Sequence, residues 1–567
     1  MNRKIRNAIF LVAVFLGSFS VWYSPVIFKG QAPYRMSELI PIAKNIYKTG
    51  KFSLEDNKNI YLSSSQIKDK GEIATVGNKF TAYLYAWLFK FTGLLTPGQL
   101  VVVSIIINSI SLIIFSFVVL RLFGMKTSAL FSLIYILMPF NWLQVYSIGV
   151  YEFAVLFLSL FFTFFLLGRD KKNEVAYFFV SGIFLSLSAL ARETFFLLIP
   201  ITLVYLWFSG KRKIFLYFSV AICLVVSIFY LPNFFNKNSG NEYVKFFSSK
   251  EAQGESRRFS DFTFYGHIFP DPYTYHFQRQ EFLKNFQEKT KQAGLLESLE
   301  NKKVLVNMGE KGLSLTERFS LGFILFFTHI FRFTSLELAG GSFVFILSLL
   351  GLAGLKNKDK DLYRFVLFWT IGTIFLLSFV VVVGRDHLND FNWVMSLLVA
   401  IGSLFTIELF SEKIASVKFS KLVFFFILAA SLFYHLLTVN HIVFGKIYDT
   451  VTSPKIELYA EKIKAFNVND SDVIAIGLTS KEQVVLNYLA DKNTVVFSPG
   501  TVKKLIESKE LEESFKKFGV RYFMGYEDGL SSKIEKETQV ISIANSSIVA
   551  SDNQTSSWKS LFMNLVK

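Results

Sequence analysis

The sequence predicts a mainly α-helical, polytopic membrane protein of about eleven transmembrane helices that ends in a small C-terminal extracytoplasmic α/β domain. Three observations predict it. Phe fills 66 of 567 positions, hydrophobic residues make up 52% and the mean hydropathy is +0.42, values of a chain buried in lipid. Apolar runs long enough to cross roughly 30 Å of hydrocarbon recur along the first 440 residues. Beyond them the pattern changes to short apolar runs separated by amphipathic stretches.

The runs fall at about 8–27, 99–120, 127–147, 150–168, 175–191, 194–209, 214–232, 338–355, 362–384, 391–411 and 420–440. Met1 to Arg6 precedes the first run without a small-residue cleavage site after it, which reads as an uncleaved span with the N-terminus in the cytoplasm. Arg3/Lys4/Arg6, Arg121/Lys126, Arg169/Lys171/Lys172, Lys211/Arg212/Lys213, Lys356/Lys358/Lys360/Arg364 and Lys413/Lys418/Lys421 all become cytoplasmic on that count. The net charge of +17 is therefore positive-inside topology, and no nucleic-acid partner is expected. Phe319 to Thr334 is apolar enough to pass for another span, but counting it would put the Lys356–Arg364 cluster outside. It is assigned to the outer interface, with His329 and Arg332 on its polar side.

Residues 1–440 form the membrane domain on this reading, with large outer loops at 29–97 and 233–337, and 441–567 form the soluble domain. In the tail, Asp472 to Gly477, Thr494 to Phe497, Val520 to Met524 and Val540 to Ile543 read as strands, with helical patterns at Lys481 to Ala490 and Val502 to Phe518. Cys223 is alone in an apolar run, so a disulfide framework and a thiol metal site are excluded. His267, Asp271 and His276 lack a flanking pattern that would make them metal ligands. No metal or other cofactor is expected, with a divalent ion left as an alternative.

Candidate site residues are the charged groups at the outer mouth of the spans, because a charge at membrane depth needs a cavity or a partner. Arg35, Glu38 and Lys79 lie in the first outer loop, within amphipathic stretches too short to span. Tyr151-Glu152 opens the fourth span, Arg192-Glu193 follows the fifth, and Arg385 and His387 follow the ninth. Each has a structural alternative: Glu38 and Glu152 as first-turn acids of their own helices, Arg192-Glu193 as a self-neutralising pair, Arg385 and His387 as wet loop residues. Their convergence on one membrane face favours a shared site.

In order and topology these features resemble a family. The first outer loop carries an acid, a helix, Ala43-Lys44-Asn45 and Gly50-Lys51-Phe52. Then come Asn78-Lys79-Phe80-Thr81-Ala82-Tyr83, Phe91-Thr92-Gly93, Tyr151-Glu152, the small-residue run Leu187 to Glu193, and Gly384-Arg385. Residues 1–440 resemble the GT-C class of polyprenyl-phosphate-sugar-dependent glycosyltransferases, bacterial protein O-mannosyltransferases and lipid A aminoarabinose transferases in particular. The chain departs from the family at the loop Asp, where Arg35-Met36 stands and the nearest acid is Glu38. The resemblance implies a cytoplasmic-membrane enzyme that moves a sugar from a polyprenyl-phosphate donor to an extracytoplasmic glycan, lipid or protein. It implies Glu38 as general base and Glu152 as a second acid orienting acceptor or sugar. It implies Lys79, Arg192 and Arg385 as phosphate clamps, with Arg35, Tyr151, Glu193 and His387 among the substrate-binding residues. A transporter or lipid-sugar flippase, a ligase of lipid-linked glycans, and an inactive scaffold relative are the rival readings.

Overall fold

In the computed structural model, the described residues are 2–29, 34–50 except 38, 60–62, 79–169, 173–235, 342–376, 392–413 and 454–543 with short gaps, plus isolated positions. The chain divides into two compact units. Met1–Thr49 with Ala74–Thr452 make the first, and Gly50–Ile73 with Ser453–Lys567 make the second. The second unit thus takes in residues 50–73, which the sequence groups with the membrane domain.

The first unit is a helical bundle built from α1 (Arg3–Lys29), α2 (Leu39–Thr49), α3 (Lys79–Thr92), α4 (Pro97–Phe123), α5 (Met125–Leu137) and α6 (Pro139–Val145). It continues with α7 (Glu152–Leu167), α8 (Glu174–Ala191), a 3-10 turn (Glu193–Leu197), α9 (Leu198–Phe208) and α10 (Arg212–Phe235). The last described helices are α11 (Ser342–Lys358), α12 (Lys360–Leu376) and α13 (Asn392–Lys413). Five of these, α1, α4, α8, α10 and α13, are long and apolar enough to cross a membrane, and α5, α7 and α9 are shorter apolar helices. The protein is a multi-pass membrane protein. The expected span at 420–440 and the 319–334 segment lie outside the described residues, apart from single positions.

Two of the expected spans are interrupted. The run at 127–147 breaks at Met138, whose ψ of 123° suits the extended backbone preferred before a proline, and Pro139 then opens α6. Asn141 Nδ2 donates to the Tyr135 carbonyl at 2.6 Å and Trp142 Nε1 to the Ile136 carbonyl at 2.8 Å, satisfying groups that the break leaves open. The run at 194–209 starts as the 3-10 turn and becomes α-helical at Leu198.

Aromatic packing joins the early and late helices. Phe115 of α4 stacks on Trp393 of α13 at 5.6 Å, and Phe162 of α7 meets Trp369 of α12 edge-on at 5.1 Å. At α11 and α13 the backbones nearly touch: a β-carbon on Gly351 would collide with the Leu398 carbonyl, and one on Gly402 with that of Leu347. Glycine is what lets these two helices approach that closely.

The second unit is a five-stranded parallel sheet in the order β2 (Ile60–Leu62), β5 (Asn493–Phe497), β4 (Val473–Ile476), β6 (Val520–Met524) and β7 (Ile541–Ser542). Its helices are α14 (Pro454–Ala465), α15 (Ser480–Ala490), α16 (Pro499–Glu507), α17 (Leu511–Phe518) and α18 (Asp528–Glu537). Val473, Ala475, Val495, Phe497, Phe515 and Phe523 form its core. Beyond β6, Tyr526 is buried and its hydroxyl donates to the Phe497 carbonyl at 3.0 Å. Strand β2 pairs Ile60, Tyr61 and Leu62 with Val495, Val496 and Phe497, so β5 is an interior strand.

Candidate functional site

A two-residue parallel ladder, β1 (Arg35–Met36) on β3 (Ser147–Ile148), begins the site. The Arg35 amide donates to the Tyr146 carbonyl at 2.8 Å and the Ser37 amide to that of Ile148 at 2.9 Å. Beyond the ladder Ser37 Oγ accepts the Leu39 amide at 3.3 Å as α2 starts. The Arg35 side chain is exposed while Met36 is buried, as alternation along a strand requires. Gly149 follows β3 with φ +80°, the left-handed region that glycine tolerates best, and packs against Ile40 and Ser37.

That turn delivers Tyr151 and Glu152 to the N-terminus of α7. Glu152 is buried, 1% exposed, and its carboxylate curls back on the chain before it. Oε1 accepts the Gly149 amide at 2.6 Å, and Oε2 accepts those of Val150 at 3.2 Å and Tyr151 at 3.0 Å. The Tyr85 hydroxyl of α3 donates to Oε1 as well. Four donors occupy the roughly four acceptor positions of one carboxylate.

Arg192 ends α8, where the backbone turns extended at φ −149° and ψ 116°. Its side chain is buried, with Cζ 3.9 Å from the Tyr151 ring centroid and Nη2 donating to the Tyr151 hydroxyl at 3.1 Å. The guanidinium thus sits over the ring and reaches its hydroxyl at once, a two-point contact that lysine would not reproduce. One helix serves both ends of this arrangement. On α3, Thr81 Oγ1 donates to the Ala191 carbonyl at 3.0 Å, and Tyr85, one turn on, reaches Glu152.

Of the residues singled out from sequence, the structure brings Tyr151, Glu152 and Arg192 together and sets the Arg35 strand beside the segment that leads to them. Lys79 is the first residue of α3 and Glu193 the first of the 3-10 turn; for these two the backbone alone is described. Glu38, Arg385 and His387 lie outside the described residues. Sequence reading missed Thr81, Tyr85 and Gly149. The i, i+4 pair of hydroxyl groups on an apolar helix was the available signal for the first two, and a glycine just ahead of Tyr151-Glu152 for the third.

No protein-family model matches the chain, and no curated protein matches it in sequence. Solved structures do. The oligosaccharyltransferase of Archaeoglobus fulgidus, in complex with Zn and sulfate, superposes with a TM-score of 0.53 at 14% identity, covering 91% of this chain and 67% of its own. AglB, the oligosaccharyltransferase of that organism, in complex with an inhibitory peptide and a dolichol-phosphate, gives 0.52 at 14%, covering 92% and 69%. A looser superposition, 0.39 at 13% over 94% and 89%, is with ArnT from Cupriavidus metallidurans bound to undecaprenyl phosphate. At these identities the likeness is one of fold: the chain shares the architecture of the archaeal oligosaccharyltransferase. The Zn of the first neighbour has no ready counterpart among the described residues. No group of three or more His, Cys, Asp or Glu is found there, and Glu152 has both oxygens engaged.

Proposed function

We propose that this chain is an integral membrane glycosyltransferase that moves one sugar, with inversion, from a polyprenyl-phosphate carrier to an acceptor outside the cytoplasmic membrane. The observation that carries the reading is the buried arginine, Arg192, stacked on Tyr151 beside the α3 start that bears Lys79, in a bundle of GT-C architecture. AglB is known in complex with a dolichol-phosphate, a lipid phosphate of the class invoked here.

The chemistry follows from the leaving group. The acceptor hydroxyl oxygen attacks the anomeric carbon as the bond from that carbon to the phosphate oxygen breaks. The electron pair departs on the phosphate. Glu38 takes the hydroxyl proton, since an alcohol is a poor nucleophile near neutral pH. The departing phosphate is already anionic and needs cations rather than an acid, a role for Arg192, Lys79 and Arg385, with Arg35 three residues before Glu38 among the substrate-binding residues. Tyr151, Glu193 and His387 flank those cations and complete the substrate-binding set.

The test is release of polyprenyl phosphate by reconstituted protein supplied with polyprenyl-linked sugars. Glu38→Gln should lower turnover by about a hundredfold or more, and Arg192→Ala should weaken retention of the lipid phosphate. Wild-type protein that neither turns over nor binds a polyprenyl phosphate would overturn the proposal.

A further inference from the structure

Glu152 is the buried acid of the site, yet it offers no free lone pair to a sugar or an acceptor. Two oxygens receive four donors, three of them consecutive backbone amides and the fourth the Tyr85 hydroxyl. A substrate hydroxyl would have to displace one of them. The amides so held belong to Gly149, Val150 and Tyr151, and Tyr151 is the residue whose ring and hydroxyl seat Arg192.

We infer that Tyr85 and Glu152 together form a buried latch that positions Tyr151, and through it Arg192, for the phosphate of the lipid donor. Neither touches substrate. Tyr85 and Glu152 are positioning residues, and the group they position is the cation. This inference rests on the lipid-phosphate reading above.

The construction of α3 supports it. Ala82, Tyr85, Ala86 and Phe89 are buried at 0–2% exposure along one face, so the Tyr85 hydroxyl cannot swing away without unpacking the helix. Tyr85 is further wedged edge-on against Phe153 at 5.3 Å, one residue past Glu152. On the turn before, Thr81 holds the carbonyl of Ala191, the residue ahead of Arg192. Successive turns of one helix thus fix the backbone that launches Arg192 and the carboxylate that fixes Tyr151. The two halves of the stacked pair are referenced to one rigid element, which is how a binding group is kept within a few tenths of an ångström of its working place.

The experiment uses the full chain in lipid nanodiscs and two readouts. One is hydrogen exchange of the segment 147–154 without ligand; the other is affinity for undecaprenyl phosphate, the probe. Tyr85→Phe keeps the ring and removes the donor. It should speed exchange at the 149–151 amides about tenfold and weaken undecaprenyl phosphate by a similar factor, with the unfolding temperature nearly unchanged. Glu152→Gln, which places an amide NH2 among amide donors, should exceed it in both. Tyr151→Phe should weaken the probe while leaving exchange at 149–151 as in wild type, because it lies downstream of the latch. Unchanged exchange in Tyr85→Phe would overturn the latch. Faster exchange with unchanged affinity would overturn its positioning role. Wild-type protein with no affinity for the probe would overturn the lipid-phosphate reading and the positioning role with it, while exchange would still report on the latch itself.

Discussion

Gly149 stands so close to Ile40 that a β-carbon on it would lie 3.0 Å from Ile40 Cδ1, and 3.1 Å from Ser37 Cβ. Two restrictions coincide there, the left-handed φ of +80° and the crowding from the start of α2. Gly149→Ala should therefore cost about 1–3 kcal/mol, and it should part the ladder that carries Arg35. Thermal unfolding in detergent measures the first effect and undecaprenyl phosphate affinity the second. An alanine variant equal to wild type in both would mean that the turn is freely adjustable.

The α11–α13 contact predicts a sharper contrast among glycines. Gly351→Ala and Gly402→Ala each drive a β-carbon into a backbone carbonyl of the facing helix, which no side-chain rotation relieves. Both should lower the yield of folded, monodisperse protein severalfold. Gly17→Ala, on α1 with nothing within 4 Å of the added carbon, should be neutral or slightly stabilising. Size-exclusion profiles of the three variants decide it, and equal yields would refute the close approach.

Arg169 and Asp359 make a forked ion pair, with Nη2 2.8 Å from Oδ2 and Nη1 3.4 Å from Oδ1, and Asp359 Oδ1 also accepts the Leu362 amide at 2.9 Å. Burial pushes the Asp359 carboxyl up, but the Arg169 hydrogen bond, the Leu362 amide and the guanidinium charge outweigh it and leave the group below its ordinary range. The unfolded chain then binds this proton more tightly than the folded one. The contribution of the pair is complete above the ordinary carboxylate value of about 3.9 and is lost as pH falls through the depressed value. Asp359→Asn should be less stable than wild type by a constant amount, ~1 kcal/mol, from about pH 8 to pH 5. That difference should narrow below about pH 4. A difference that grows on acidification would contradict the assignment.

Strand β2 makes β5 interior, and β5 is built for it: Thr494, Val495 and Phe497 are each 0% exposed. Replacing Ile60-Tyr61-Leu62 by Gly-Ser-Gly should turn β5 into an unprotected edge. Limited proteolysis of the full chain should then cut around 492–507 at least about tenfold faster. Cleavage at the wild-type rate would show that the sheet stands without the loop.

Much of this was legible in the sequence, and the misses share one cause. The apolar runs at 8–27, 99–120, 175–191, 214–232 and 391–411 fall in α1, α4, α8, α10 and α13, because a run that must be dry on all sides carries its own signal. The apolar stretches around Val473, Val495, Phe523 and Ile541 likewise fall in strands. Hidden from the sequence were features that depend on a distant partner. β1 and β3 are two residues each, too short for any alternation to register, and they pair across more than a hundred positions. Glu152 reads equally well as a site acid or a first-turn acid of its own helix until Tyr85, 67 positions earlier, is seen donating to it. The break at Met138 was the exception, since Pro139 announced it inside a run that otherwise looked continuous.

The pairing of β2 with β5 carries a rule about parity. Two hydrogen-bonded strands share one side of a bilayer, so whatever lies between Leu62 and Asn493 must cross it an even number of times. Ten crossings meet that requirement and eleven do not, which sets a condition on any reading that turns Phe319 to Thr334 into one more passage. A three-residue strand thereby fixes the parity of the passages between itself and β5, and reporter fusions placed just before Ile60 and just after Phe497 must report the same face.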